Sequence, residues 1–129
     1  MATRSDKRPL SPHLAHYRWE ITMVTSVLHR ASGIVLALGL PALAIWITSV
    51  AAGGDYAGTV SRVLTSWFGT LALMGWTLAL MFHLMNGLRH LGFDTGHGWG
   101  LPTARATGWT AGIGAVALTC LVWLIVFFA

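Results

Sequence analysis

Residues 63–88 read VLTSWFGTLALMGWTLALMFHLMNGL, 26 consecutive positions without Asp, Glu, Lys or Arg. As an α-helix this stretch is about 39 Å long, and about 20 apolar residues already cross the hydrocarbon core of a bilayer. The same absence of charge recurs at Ala31–Gly54 and Ala106–Ala129, 24 residues each, so 74 of 129 positions lie in three uncharged runs. Hydrophobic residues make up 55% of the chain and charged residues 9%, whereas a soluble domain carries about 25% charged residues. The reading is an all-α membrane protein with three transmembrane helices and a polar N-terminal arm. A soluble enzyme is ruled out, and so little chain outside the bilayer leaves no room for a dinucleotide fold or a dicarboxylate pocket. The net charge is +4, but the basic residues sit at helix ends and form no patch for nucleic acid.

The runs divide the chain into a cytoplasmic arm over 1–21 and a transmembrane domain over 22–129, with helices expected at about 23–50, 62–92 and 106–128. Pro9 and Pro12 oppose helix in the arm. Pro41 cannot donate to the carbonyl of Ala37, which predicts a kink near Gly39-Leu40-Pro41. Gly53, Gly54 and Asp55 read as a short loop, and Phe93–Arg105, with Gly96, Gly98, Gly100 and Pro102, as a linker. In the third run Gly108, Gly112 and Gly114 allow close helix approach, and Cys120 is a small buried or lipid-facing residue. One thiol builds neither a disulfide nor a cluster. Arg4, Lys7, Arg8, Arg18 and Arg30, with Arg89 and Arg105, put the N-terminus and the second loop in the cytoplasm. Met1–Pro9 resembles neither a secretory signal nor a transit peptide, so direct insertion into a bacterial inner membrane is expected.

Ionisable and polar residues inside membrane helices are costly and mark candidate sites. Ser26 and Arg30, spaced i, i+4, share a helix face. A hydroxyl and a guanidinium so placed suit a carbonyl ligand and the negative charge it gains on reduction. The competing reading is that Arg30 snorkels to headgroups and Ser26 bonds its own backbone. His83, Gly87, His90 and Asp94 form a second stripe, with Asn86 and Arg89 beside it. A neutral imidazole deep in a bilayer suits haem iron, and Gly87 lets a flat macrocycle approach. Arg89 and His90 suit its propionates. His83 and His90 lie about 10 Å apart along one face and cannot hold one iron, so a second ligand comes from His29 or from a partner. The competing reading bonds His83 to a neighbouring helix and leaves His90 and Arg89 at the headgroups.

Other side chains carry weaker signals. His13 and His16 read as exposed or as contacts for a partner, and His97 as solvated in its loop. Asp94 pairs with Arg89 or caps its helix, and Glu20 pairs with Arg18. Trp19, Trp67 and Trp99 read as interfacial anchors, and Met74, Met81 and Met85 as packing.

Three stretches together resemble one family, the cytochrome b subunits of succinate dehydrogenase (complex II). They are Arg8-Pro9-Leu10-Ser11-Pro12-His13-Leu14 with Tyr17-Arg18, Ser26-Val27-Leu28-His29-Arg30 with Ser32-Gly33, and His83 followed by Gly87-Leu88-Arg89-His90-Leu91 and Asp94. Val27 replaces the commoner Ile, and Trp19-Glu20 departs from the apolar or Pro residues expected there. The resemblance implies one membrane anchor in a heteromeric helix bundle, beside a second small anchor subunit and beneath a flavoprotein and an iron-sulfur subunit. Electrons from succinate would pass through iron-sulfur clusters to ubiquinone. By the same resemblance Ser26 and Arg30 line the quinone pocket. His83 is this chain's axial ligand to haem b, the second anchor supplying the other. His29, Arg89 and His90 lie near the propionates.

The contrasting classes are a haem-free structural scaffold and a small transporter subunit. A transporter calls for acidic residues or broken helices at mid-membrane, but Asp6, Glu20, Asp55 and Asp94 all fall at ends or in loops.

Overall fold

The computed structural model describes residues 17–129. Arg4, Asp6, Lys7, Arg8, Pro9, Pro12, His13 and His16, singled out above, lie outside the described residues. The described chain forms four helices: α1 Ile21–Ala52, α2 Gly54–Thr65, α3 Trp67–Asp94 and α4 Leu101–Phe128. Three of them, α1, α3 and α4, are long and apolar enough to span a bilayer.

The expected loop and the start of the second helix are instead a separate helix. After α1, Gly53 and Gly54 adopt φ of +68° and +60°, a backbone region that favours glycine, and α2 starts at once. Its half-buried residues Ala57, Val60 and Leu64 follow helical spacing, and Asp55, Tyr56, Thr59 and Arg62 are exposed. α2 ends at Ser66, which is extended (φ −60°, ψ 157°). The Ser66 hydroxyl accepts from the Gly69 N–H at 3.1 Å and donates to the Val63 carbonyl at 2.6 Å. That N-cap starts α3 at Trp67 rather than Arg62. Gly69 is required there, since a Cβ would overlap the Val63 and Leu64 carbonyls.

α4 starts at Leu101, five residues before the expected Ala106, with Gly100 as N-cap and Pro102 in the first turn, where its missing N–H costs nothing. Arg105 is therefore helical and makes a two-pronged ion pair with Glu20, at 3.0 and 2.8 Å. This replaces the expected Glu20–Arg18 pair. α1 runs through Pro41 as one helix.

α3 runs antiparallel to both α1 and α4. Thr25 meets Arg89, Gly33 meets His83 and Gly39 meets Trp76, while Met85 meets Gly114 and Arg89 meets Thr107. The interior is small and polar: the buried residues are Thr25, Ser32, Ser49, Asn86, Gly108, Ala111 and Ala115. Large apolar side chains face outward instead, Leu38 being 75% exposed. This inverts a soluble core and suits a lipid solvent, where close packing and polar contacts join helices. Cys120 lies on that outer surface. Away from the His83 end, α1, α2 and α3 frame an apolar cavity of about 710 Å³ whose lining includes Gly39, Trp46, Leu64, Phe68 and Trp76.

Candidate haem and quinone site

Crossing α1 against α3 brings three histidines together. The His29 ring stacks on His83, with centroids 4.0 Å apart and planes 14° from parallel. His90 lies 5.2 Å from His29 at a tilt of 49°. The two histidines of the α3 stripe are thus bridged by one from α1. Gly33 makes the approach possible, since a Cβ there would come within 3.1 Å of His83 Cε1.

The contacts fix how His83 is protonated. Its Nδ1 lies 3.2 Å from the His29 carbonyl oxygen and 3.1 Å from Ser32 Oγ. The Ser32 hydroxyl already donates to that carbonyl at 2.8 Å, so both neighbours of Nδ1 accept. Nδ1 therefore carries the hydrogen, and in the neutral ring Nε2 keeps the lone pair. Nε2 has no hydrogen-bond partner among the described residues, and His83 as a whole is half-buried. An imidazole whose far nitrogen donates to a carbonyl is arranged as metal-ligating histidines are. His29 Nδ1, by contrast, is buried without a partner. No group of three or more His, Cys, Asp or Glu among the described residues converges on a metal ion. His83 offers one ligand and no cage.

Asn86, with 0% of its surface exposed, sits at the centre of the polar network. Its amide nitrogen donates to the Thr25 carbonyl at 3.2 Å and lies 3.4 Å from His90 Nε2. Arg89 is spent on neighbouring helices. It donates to Thr107 Oγ1 and the Ala104 carbonyl of α4 at 3.1 Å each, and to Thr25 Oγ1 and Asn86 Oδ1 at 3.4 Å each. Its guanidinium also covers the Phe93 ring at 4.6 Å. The expected Arg89–Asp94 pair is absent, and Asp94 is exposed as the last residue of α3. Every Arg89 partner is neutral, which leaves its charge uncompensated within the described residues.

Ser26 is half-buried and Arg30 exposed. Neither makes a side-chain hydrogen bond to another described residue, so the backbone bond that the competing reading gave to Ser26 is absent among the described residues. Thr25 and Ser32 do make such bonds, at 3.0 and 2.8 Å. His97 is exposed and lies 3.2 Å from Thr95 Oγ1. Trp19, Trp67 and Trp99 are all at least 50% exposed. The sequence reading gave no roles to Ser32, Thr25 and Thr107; Thr25 and Ser32 lie one helical turn from His29, and nothing comparable marks Thr107.

Residues 4–122 match the family described as succinate dehydrogenase/fumarate reductase transmembrane subunit. The chain is 36% identical over 121 residues to the succinate dehydrogenase cytochrome b556 subunit of Paracoccus denitrificans, covering 94% of this chain and 92% of that one. It is 32% identical over 119 residues to the cytochrome b556 subunit of Rickettsia felis, covering 92% and 93%. It is 33% identical over 121 residues to the mitochondrial cytochrome b560 subunit of Mus musculus, covering 91% of this chain and 68% of that one.

Proposed function

Because the chain belongs to the succinate dehydrogenase/fumarate reductase transmembrane subunit family, we propose that it is the haem b- and quinone-binding anchor of a succinate:ubiquinone oxidoreductase. In this reading a flavoprotein, an iron-sulfur subunit and a second small anchor complete the complex. It lies in a bacterial inner membrane with the N-terminus in the cytoplasm. The end carrying Arg18, Arg30, Arg89 and Arg105 then faces inward, as positive-inside requires.

The observation that carries the proposal is the hydrogen bonding of His83. Its Nδ1–H is tied to the His29 carbonyl and Ser32, which holds the ring in the orientation and tautomer an axial ligand needs. Haem b, when bound, supplies a one-electron carrier. His83 Nε2 would hold its iron from this chain, with a further ligand supplied by the second anchor. Gly87 leaves the α3 backbone open beside the cluster, since the nearest side-chain atom to a Cβ there is His29 Cε1 at 3.9 Å. His29 and His90 would border the propionates. Arg89, whose partners are all neutral, would hold Asn86 in place and add positive charge to that end.

Ser26 and Arg30 would serve the quinone. The hydroxyl donates to a quinone carbonyl, and the guanidinium stabilises the charge that builds on the ring oxygens as electrons arrive. Dicarboxylate chemistry belongs to the partner subunits.

A reduced-minus-oxidised optical spectrum of membranes holding the assembled complex tests the haem assignment. His83→Ala should remove the b-type band. A band that survives, or that is missing from the unmodified complex, would favour a haem-free scaffold.

A further inference from the structure

Asn86 is the one fully buried amide in the bundle, and its two ends face groups of opposite character. The Thr25 carbonyl can only accept, so the atom facing it at 3.2 Å is the amide nitrogen. The Arg89 guanidinium can only donate, so the atom facing it at 3.4 Å is Oδ1. Both neighbours demand the same amide orientation. The nitrogen has two hydrogens. One goes to Thr25, and the other is directed at His90 Nε2, 3.4 Å away. A donor there needs a lone pair on Nε2, which leaves the ring hydrogen on Nδ1.

We propose that Asn86 is a positioning residue that fixes His90 as the Nδ1–H tautomer. His83 and His90 then carry their hydrogens on the same nitrogen but use them oppositely. His83 turns Nδ1–H inward to the α1 carbonyl and keeps a free lone pair on Nε2. His90 turns its Nε2 lone pair inward to Asn86 and carries its N–H on Nδ1, which has no hydrogen-bond partner among the described residues. The cluster thereby pairs one ligating nitrogen with one hydrogen-bond donor suited to an anionic oxygen. A metal-bearing macrocycle with carboxylate side arms needs that pairing. The ligand half of this inference rests on the haem reading, and the tautomer half does not.

The test is ring-nitrogen NMR of the complete complex, labelled with ¹⁵N-histidine, in bilayers at mildly alkaline pH. The His90 signals are those lost in His90→Gln. The unmodified protein should show a protonated Nδ1 and a bare Nε2 at His90. Asn86→Asp puts only acceptors at that place, and the pattern should invert to Nε2–H. If that variant does not assemble, Asn86→Leu removes the donor without adding charge, and a mixture of both tautomers is expected. An Nε2–H or doubly protonated His90 in the unmodified complex would overturn the proposal. So would an unchanged Nδ1–H pattern in the variants. A simple packing role for Asn86 would not exchange one ring hydrogen for the other. Haem content measured on the same sample separates the two readings: the expected tautomer without haem upholds Asn86 and defeats only the haem assignment.

Discussion

His29 touches His83 twice: its ring stacks on the His83 imidazole at 4.0 Å, and its backbone carbonyl faces His83 Nδ1 at 3.2 Å. Trans ligands of one iron point their nitrogens at each other across the metal, whereas stacked rings present faces. The pair therefore cannot serve one iron from both sides. Under the haem reading proposed above, a second ligand would then have to come from a partner.

The first prediction follows from that double contact. His29→Leu removes the stacked ring but keeps the carbonyl that orients His83. Most of the b-type absorbance should survive in it, while His83→Ala loses the band. Haem content per complex, measured as the pyridine haemochrome, checks this. Equal loss in both variants would show that the His29 ring is itself indispensable to the site.

Gly33 gives a second prediction. A methyl there would sit 3.1 Å from His83 Cε1, so Gly33→Val must displace either the imidazole or the helix. Overpacking of this kind costs about 1–3 kcal/mol, and here it falls on the proposed haem ligand. Haem content should drop with little change in the amount of chain inserted. Gly75→Ala, where a Cβ meets nothing within 4 Å, should leave haem content unchanged.

The three spans were legible because a run of two dozen uncharged residues has few other fates. α2 was not: its 12 residues mix Asp55, Arg62 and two glycines with apolar positions, which reads as loop until Ser66 is recognised as a cap over Gly69. The start of α4 hid behind glycines, although Pro102 in a first turn is itself a start signal. Helical spacing placed His83 and His90 on one stripe but could not say that His29 slots between them, because that depends on how α1 crosses α3. The same limit applies to Glu20, whose partner Arg105 is 85 residues away, and to Arg89, whose anchors lie on α4.

Arg89 yields the third prediction. Arg89→Lys keeps the charge, but a single ammonium cannot reach Thr25, Asn86, Thr107 and the Ala104 carbonyl together. Polar contacts between membrane helices average about 0.6 kcal/mol each, so losing several should cost about 1–2 kcal/mol. The apparent melting midpoint of the purified complex should fall. An unchanged midpoint would mean that the contacts to α4 contribute little.

Glu20 and Arg105 supply a contrast. Their side chains are 42% and 48% exposed, and exposed ion pairs contribute about 0–1 kcal/mol. Glu20→Gln should shift the melting midpoint less than Arg89→Lys does, and added salt should shrink even that difference.

The last prediction concerns Ser26 and Arg30, which share a face of α1 and make no side-chain bonds to other described residues. Groups committed to holding the fold would have partners, as Thr25 and Ser32 do. Free polar groups one turn apart at the membrane edge are open to a ligand. If that ligand is the quinone, Ser26→Ala and Arg30→Ala remove interactions that strengthen as the ring oxygens gain charge. Loss of one such donor lowers the rate by about tenfold, or about 1.4 kcal/mol. Quinone reduction should fall by at least that factor in each variant, while succinate oxidation with a water-soluble artificial acceptor continues. The artificial acceptor takes electrons before they reach the membrane, so its rate reports assembly alone. Were both rates to fall together, the two residues would belong to subunit docking and the quinone would have to bind elsewhere.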